Sequence, residues 1–262
     1  MLKKRLIPLL LLDHNKLVKT RKFDDLQVIG NTVTQAERYA QWSVDELIYL
    51  NISREGLRHF QRKDDKIQSE FDLLDIVEQV SKLCFMPLTF GGGIRTTEEV
   101  SVFLQRGADR VSLNTAAVET PEVLENSAKK FGSQCILGVI DVKRTDEGPR
   151  VFISNGRHPT GLKPVEWAKR LEDMGAGEIL VQSIDKDGTA SGYDLEILES
   201  ISQAVKIPTL ISGGARHPSH MVQAFKSGAK GVVAANVFHM IENADVILRS
   251  ALIEAGIPLR AV

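Results

Sequence analysis

Phe90-Gly91-Gly92-Gly93-Ile94 and Ile211-Ser212-Gly213-Gly214-Ala215 decide the fold, because each ends an apolar run in a glycine turn and each is answered by a second run at the same distance. The answering runs are Arg110-Val111-Ser112-Leu113-Asn114 and Gly231-Val232-Val233-Ala234-Ala235. Gly93 and Gly214, Gly107 and Gly228, and Ala108 and Ala229 are all 121 positions apart. A second pair, Asp45-Glu46-Leu47-Ile48 and Gly177-Glu178-Ile179-Leu180, repeats at 132, so the first half holds eleven extra residues between Glu46 and Gly91. A repeat this long points to fused half-domains rather than to a solenoid.

Working outward, eight short apolar runs are each followed by a segment of helical period: Arg5 to Leu12, Glu46 to Asn51, Cys84 to Phe90, Arg110 to Asn114, Cys135 to Asp141, Glu178 to Ser183, Pro208 to Ser212 and Gly231 to Ala235. Between them, Asp72 to Leu83, Thr96 to Arg106, Pro121 to Phe131 and Lys163 to Met174 place apolar residues at i, i+3 and i+4. Eight such units predict one α/β domain over residues 1–262, a (β/α)8 TIM barrel built from two duplicated half-barrels. A doubly wound open sheet is disfavoured, since no GxGxxG follows Leu12.

Composition narrows the function. At 262 residues and 43% hydrophobic content the chain can bury a full core, and a formal net charge of −1 offers no general field for nucleic acid. The run Leu6 to Leu12 is too short to span a bilayer and carries no cleavage signature, so a cytoplasmic protein without membrane attachment is expected. Cys84 and Cys135 make no disulfide framework and are expected as buried thiols in strand-like surroundings. Nothing calls for a metal or an organic cofactor.

Barrel chemistry gathers where strands end. Glycine turns there let backbone N–H groups approach an anion, and the helix starts that follow add their dipoles. Gly91 to Gly93 with Asn114-Thr115 form one expected phosphate cradle; Gly213-Gly214 with Asp187-Gly188-Thr189 and Ala235-Asn236 form the other. One such glycine pair could simply end a strand, but two in register suit an elongated ligand phosphorylated at both ends. Asp141 closes the fifth run as an inward carboxylate, and acid/base work commonly needs a partner on the opposite wall. The half-repeat puts that partner near residue 11, where the chain has Leu11. Asp13 lies on the same strand face, roughly 6 to 7 Å further out, and reads as a surface aspartate able to substitute only if the loop bends inward.

The strand beginnings carry Arg5, Glu46, Arg110 and Glu178, two cations and two anions, which an alternating ring would pair. Rim salt bridges are the plainer reading of the spacing alone.

Taken together, Lys4-Arg5-Leu6-Ile7-Pro8, Phe90-Gly91-Gly92-Gly93-Ile94-Arg95, Ile140-Asp141-Val142-Lys143-Arg144, Gly175-Ala176-Gly177-Glu178 and Asp187-Gly188-Thr189-Ala190-Ser191-Gly192-Tyr193-Asp194 closely resemble the cyclase subunit of imidazole glycerol phosphate synthase, end to end. The resemblance implies a (β/α)8 barrel that forms a heterodimer with a glutaminase on its strand-beginning face. It also implies passage of ammonia through the barrel to a bisphosphorylated ribulosyl nucleotide (PRFAR) in histidine synthesis. It assigns phosphate contacts to Gly92, Asn114, Thr115, Gly188, Gly213, Gly214 and Asn236, and an ammonia gate to Arg5, Glu46, Arg110 and Glu178, with arginine at a position the family usually fills with lysine. Of the family's two essential carboxylates, Asp141 matches one and Leu11 replaces the other; Asn51 replaces a further aspartate, and His14-Asn15 stands where the family has Asp-Gly. The second loop is enlarged around residues 56–70. Cradles and gate kept, proton transfer reduced: this pattern resembles divergent paralogues that supply ammonia for amidation of surface sugars. Three readings follow: an ammonia-conducting barrel serving a separate sugar amidotransferase, a working cyclase that yields imidazole glycerol phosphate and AICAR, and a noncatalytic scaffold for a phosphorylated ligand.

Overall fold

The computed structural model describes residues 3–42, 44–53, 58–59 and 72–260. Among them, eight parallel strands follow one another around a barrel: β1 (Arg5–Asp13), β2 (Leu47–Asn51), β3 (Leu88–Gly91), β4 (Arg110–Leu113), β5 (Ile136–Thr145), β6 (Glu178–Ser183), β7 (Thr209–Ser212) and β8 (Gly231–Ala234). Each pairs with the next, and β8 returns to β1 in the register Arg5 to Gly231 through Pro8 to Ala234, which closes the sheet. Closure removes the free edges that an open sheet would expose.

Side chains alternate along each strand, so one set fills the barrel and the other meets the helices. Ile7, Leu9 and Leu11 of β1 share an interior cluster with Ile48, Leu50, Leu137, Val139, Leu180, Leu210 and Val233. The larger cluster, with Leu6, Leu10 and Leu12 on its inner side, lies between strands and helices. Helices Leu73–Leu83 and Thr97–Gln105 start on the capping boxes Asp72/Asp75 and Thr96/Glu99, and helix Pro164–Asp173 starts on proline.

The sequence reading differs from the structure in several places. The third strand begins at Leu88 rather than Cys84; Cys84 caps the preceding helix, and Phe85 stands 98% exposed. Cys135 is only partly buried, at the end of a 3-10 turn, so neither thiol lies in a strand. Two hairpins are present that the apolar runs do not announce. β1 runs two residues past Leu11 and turns back at His14-Asn15 (φ +47° and +64°) into the strand Lys16–Arg21, which pairs with Asp25–Asn31. Both central residues have positive φ, as a two-residue hairpin turn requires. β5 runs past Asp141 to Thr145 and folds back as Gly148–Ile153. The duplicated halves therefore share a hairpin after their first strand. Most of the enlarged loop at 56–70 lies outside the described residues; Arg58–His59 pair in parallel with Asp25–Leu26.

The C-terminal helix Ala244–Glu254 is tied to the barrel's underside by a buried ion pair. Arg249 Nη2 donates to Asp45 Oδ1 at 2.7 Å, and Asp45 Oδ2 accepts from the Leu6 amide at 2.7 Å. Arg249→Met should strand the buried Asp45 carboxylate and lower the unfolding free energy by about 3 to 5 kcal/mol in a urea titration. A loss below about 1 kcal/mol would show that solvent reaches Asp45.

Candidate functional site

Two cavities open at the strand ends, of about 320 Å³ and 440 Å³. The first is lined by Gly92, Asn114, Thr115 and Asp141, the second by Gly188, Gly213, Gly214 and Asn236. All seven residues expected to hold phosphate thus fall into their two expected groups. Leu9, Leu11, Thr20 and Asp187 line both cavities, which places Leu11 between them.

Gly92 is required by packing: at φ +86° an added Cβ would lie 1.9 Å from the Asn51 carbonyl oxygen. Gly93, at φ +84°, has open space there instead, so it is the glycine that leaves room beside the first cavity. The two functions a glycine turn can serve, close packing and access, fall to neighbouring residues.

Asp141 is buried at the floor of the first cavity, with Asn114 Nδ2 donating to Oδ2 at 2.7 Å and Gln182 Nε2 donating to Oδ1 at 3.0 Å. Loss of solvent raises its pKa to about 7 against those two donors, with Asp187 adding to the rise. Leu137, Val139 and Asp141 alternate inward on β5 as Ile7, Leu9 and Leu11 do on β1. The inward position on β1 therefore holds an isobutyl group where β5 holds an acid. Asn51 is turned into local structure, its Oδ1 accepting from Ser53 N at 3.1 Å and Ser53 Oγ at 2.7 Å.

Asp13 departs from expectation. It is buried, 3% exposed, and lies 3.0 Å from His14 Nδ1, because the missed hairpin folds over it. It is not among the residues lining either cavity.

In the sequence Asp187 reads only as part of a turn. Its Oδ2 accepts from Thr20 Oγ1 at 2.8 Å and Phe23 N at 3.2 Å, pinning the first hairpin over the mouth. Desolvation raises its pKa also. Arg95, Arg157 and His158 edge the first cavity, Lys19 and Arg216 the second. Arg157, His158 and Lys19 ride on or beside the hairpins and could be found only with them; Arg95, directly after the glycine turn, was legible by position.

At the opposite end the four charges do form a ring. Arg5 bonds Glu46 Oε1 at 2.7 Å and Glu178 Oε2 at 3.2 Å; Arg110 bonds Glu178 Oε2 at 2.7 Å, and its other nitrogen reaches Glu46. A second Arg5 nitrogen bonds Glu178 Oε1. Both glutamates are buried. Burial works against the Arg5 charge, but hydrogen bonds and the fields of Glu178 and Glu46 outweigh it and hold the guanidinium above its ordinary pKa. Each arginine fork spans two carboxylates, a geometry that a lysine point charge cannot reproduce. Glu46 itself sits one residue before β2.

A closed (β/α)8 barrel with twin cavities at its strand ends and a charge-plugged underside places the chain among barrels whose site lies in the βα loops. The family model described as "Histidine biosynthesis protein" matches residues 5–243. The chain is 41% identical over 258 residues to the imidazole glycerol phosphate synthase subunit HisF of Metallosphaera sedula, covering 98% of each. It belongs to this family and is a HisF-like barrel.

Two outcomes test the geometry. Asp141 stays protonated in the folded chain up to about pH 7 but ionises near 3.8 when unfolded, so the unfolded chain binds fewer protons in that window. Stability should fall as pH rises through it, and Asp141→Asn should flatten the fall, leaving the variant more stable at pH 8 by roughly 1 to 3 kcal/mol; identical pH profiles would contradict the buried acid. Glu178→Ala should cost about 3 to 5 kcal/mol in the same unfolding assay, by leaving two arginines to one glutamate.

Proposed function

We propose that this barrel takes ammonia from a glutaminase on its charged-ring face, conducts it through the apolar interior, and releases it at the mouth to a separate sugar amidotransferase. The observation that carries the reading is Leu11. It stands inward between both cavities, at the β1 position facing the wall that holds Asp141, and leucine neither accepts nor donates a proton. Loss of one member of an acid/base pair costs about 10² to 10⁴ in rate. Ring closure of a nucleotide is therefore the step this mouth has given up.

The remainder of the chain suits transport. Ile7, Leu9, Ile48, Leu50, Val139, Leu180, Leu210 and Val233 make the interior apolar from ring to mouth. Neutral ammonia crosses such a lining through transient gaps between side chains, while ammonium is turned back by its desolvation cost. The ring of Arg5, Glu46, Arg110 and Glu178 closes the entrance until a docked partner rearranges it. Phe85, almost fully exposed in the loop leading into β3 on that same face, gives the glutaminase an apolar contact. The twin cradles retain affinity for a phosphorylated ligand. The compartment expected for such a complex is the cytoplasm.

A second reading, a working cyclase in histidine synthesis, is favoured by Asp141, whose raised pKa suits a general acid near neutrality. The two separate in a cyclase assay with ammonia and the bisphosphorylated nucleotide. The conduit predicts a very low wild-type rate and a gain of about 10² or more in Leu11→Asp. A vigorous wild-type rate establishes the cyclase instead, and further loss in Asp13→Asn would name Asp13 as the substitute acid. For the cradles, crystals grown in phosphate should show anion density beside Gly92 with Thr115 and beside Gly213 with Gly214; empty cradles would reduce these glycines to strand endings and leave no basis for a phosphorylated ligand.

A further inference from the structure

Two members of the charged ring, Arg5 and Glu46, sit where the sheet gives them least support. Arg5 pairs with Gly231 of β8, but β1 pairs with β2 only from Leu9 onward, and Glu46 stands one residue before β2. A clasp takes the place of the missing ladder. Asp45, directly before Glu46, grips Leu6, directly after Arg5: the Asp45 amide donates to the Leu6 carbonyl at 3.1 Å, and Asp45 Oδ2 accepts from the Leu6 amide at 2.7 Å. On the other side of Arg5, the Lys4 amide donates to the Pro258 carbonyl at 3.0 Å, and Lys4 bridges in parallel to Leu259. One guanidinium joins the two holders. Arg249 Nη2 donates to Asp45 Oδ1 at 2.7 Å and Arg249 Nη1 to the Arg260 carbonyl at 3.1 Å, so its fork spans the clasp and the tail behind helix Ala244–Glu254. Arg249 and Asp45 are 8% and 4% exposed.

We propose that Arg249 is the positioning residue of the ring, fixing Arg5 and Glu46 from outside the barrel through the backbone on either side of Arg5. The inference deepens the conduit reading above and rests on it only for what the ring is for. A ring of four ionised groups stays closed only while each carboxylate remains within hydrogen-bond reach of its guanidiniums, and such bonds weaken steeply as distance and angle drift. Arg5 has a long flexible stem, and its Nε makes no hydrogen bond among the described residues. The place of its guanidinium is therefore left to its two terminal nitrogens and to the backbone from Lys4 to Leu6. Arg249 holds both ends of that stretch. A lysine at 249 would keep the charge but, as a point charge on a single stem, could not span the carboxylate and the carbonyl together. Pro258 and Arg260 are exposed, so the ring is reachable from this tail without contact with the ring itself.

The test follows rotation of the Arg5 guanidinium in the full chain, by 15N exchange NMR between its two terminal nitrogens. Wild type should keep the two nitrogens in slow exchange. Arg249→Lys and Asp45→Asn should each quicken the exchange by about tenfold or more, the effect of losing one charged hydrogen bond. Leu124→Ala, a core loss in helix Glu122–Phe131, should leave the rate unchanged although it too destabilises the fold. Rates equal to wild type in both ring-side variants overturn the positioning role, and so does an equal gain in Leu124→Ala, which marks general loosening instead. If Asp45→Asn fails to fold, Arg249→Lys, which strands no charge, decides alone. The conduit is read separately, as the fraction of glutamine nitrogen reaching product in the complex with glutaminase and amidotransferase. Wild type that channels nothing sinks the conduit and leaves the exchange result standing, whereas wild type that channels, with exchange unmoved in the variants, sinks the positioning role alone.

Discussion

Pairing of β8 with β1 is the constraint from which the rest of the molecule follows. Once Arg5 through Pro8 lie in register with Gly231 through Ala234, the sheet is closed and every second residue of each strand is committed to the interior. Gly231 shows how tightly this is fixed, since a Cβ there would lie 2.6 Å from Leu210 Cδ2 and 3.0 Å from Ile7 Cδ1. The same alternation gathers Arg5, Arg110 and Glu178, with Glu46 before β2, into one ring at the bottom and brings Leu11 and Asp141 to the mouth. A one-residue slip of β1 would turn Leu11 outward and dismantle the ring together with it.

The two ends of the barrel differ in how they treat charge. Below, four ionised groups satisfy one another, so burial is tolerated and that end of the barrel is plugged by complementary charge. Above, Asp141 is buried between amide donors and Asp187 lies beneath the first hairpin, burial raises the pKa of both, and the inward β1 position across from Asp141 holds an alkyl group. For the conduit proposed above, a ring of paired charge below and an apolar interior suit the passage of a neutral molecule.

Much of this was legible in the sequence. The apolar runs stop at Phe90, Ser183 and Ser212, at or within one residue of the strand ends Gly91, Ser183 and Ser212, and the ring is readable because four charges head or precede strands. What escaped was built by long-range pairing. The hairpin after β1 carries partly polar strands and turns on His14-Asn15, without glycine, so neither alternation nor a turn signature announced it. Its consequences follow: Asp13 reads as a surface residue although the hairpin buries it, and the Thr20 to Asp187 bond joins residues 167 positions apart. Cys84 reads as a strand start because Cys84 to Pro87 extends the apolar run of β3, whereas the helix before it ends there.

The conduit is tested most directly with glutamine labelled with 15N in its amide group, supplied to the barrel, glutaminase and amidotransferase together in a large excess of unlabelled ammonium. Aminated sugar should carry predominantly 15N, and Asp141→Asn should leave that fraction unchanged, because delivery requires no proton transfer at the mouth. Product whose label is diluted to that of the bulk ammonium, or a fraction that collapses in Asp141→Asn, would contradict transport through this barrel.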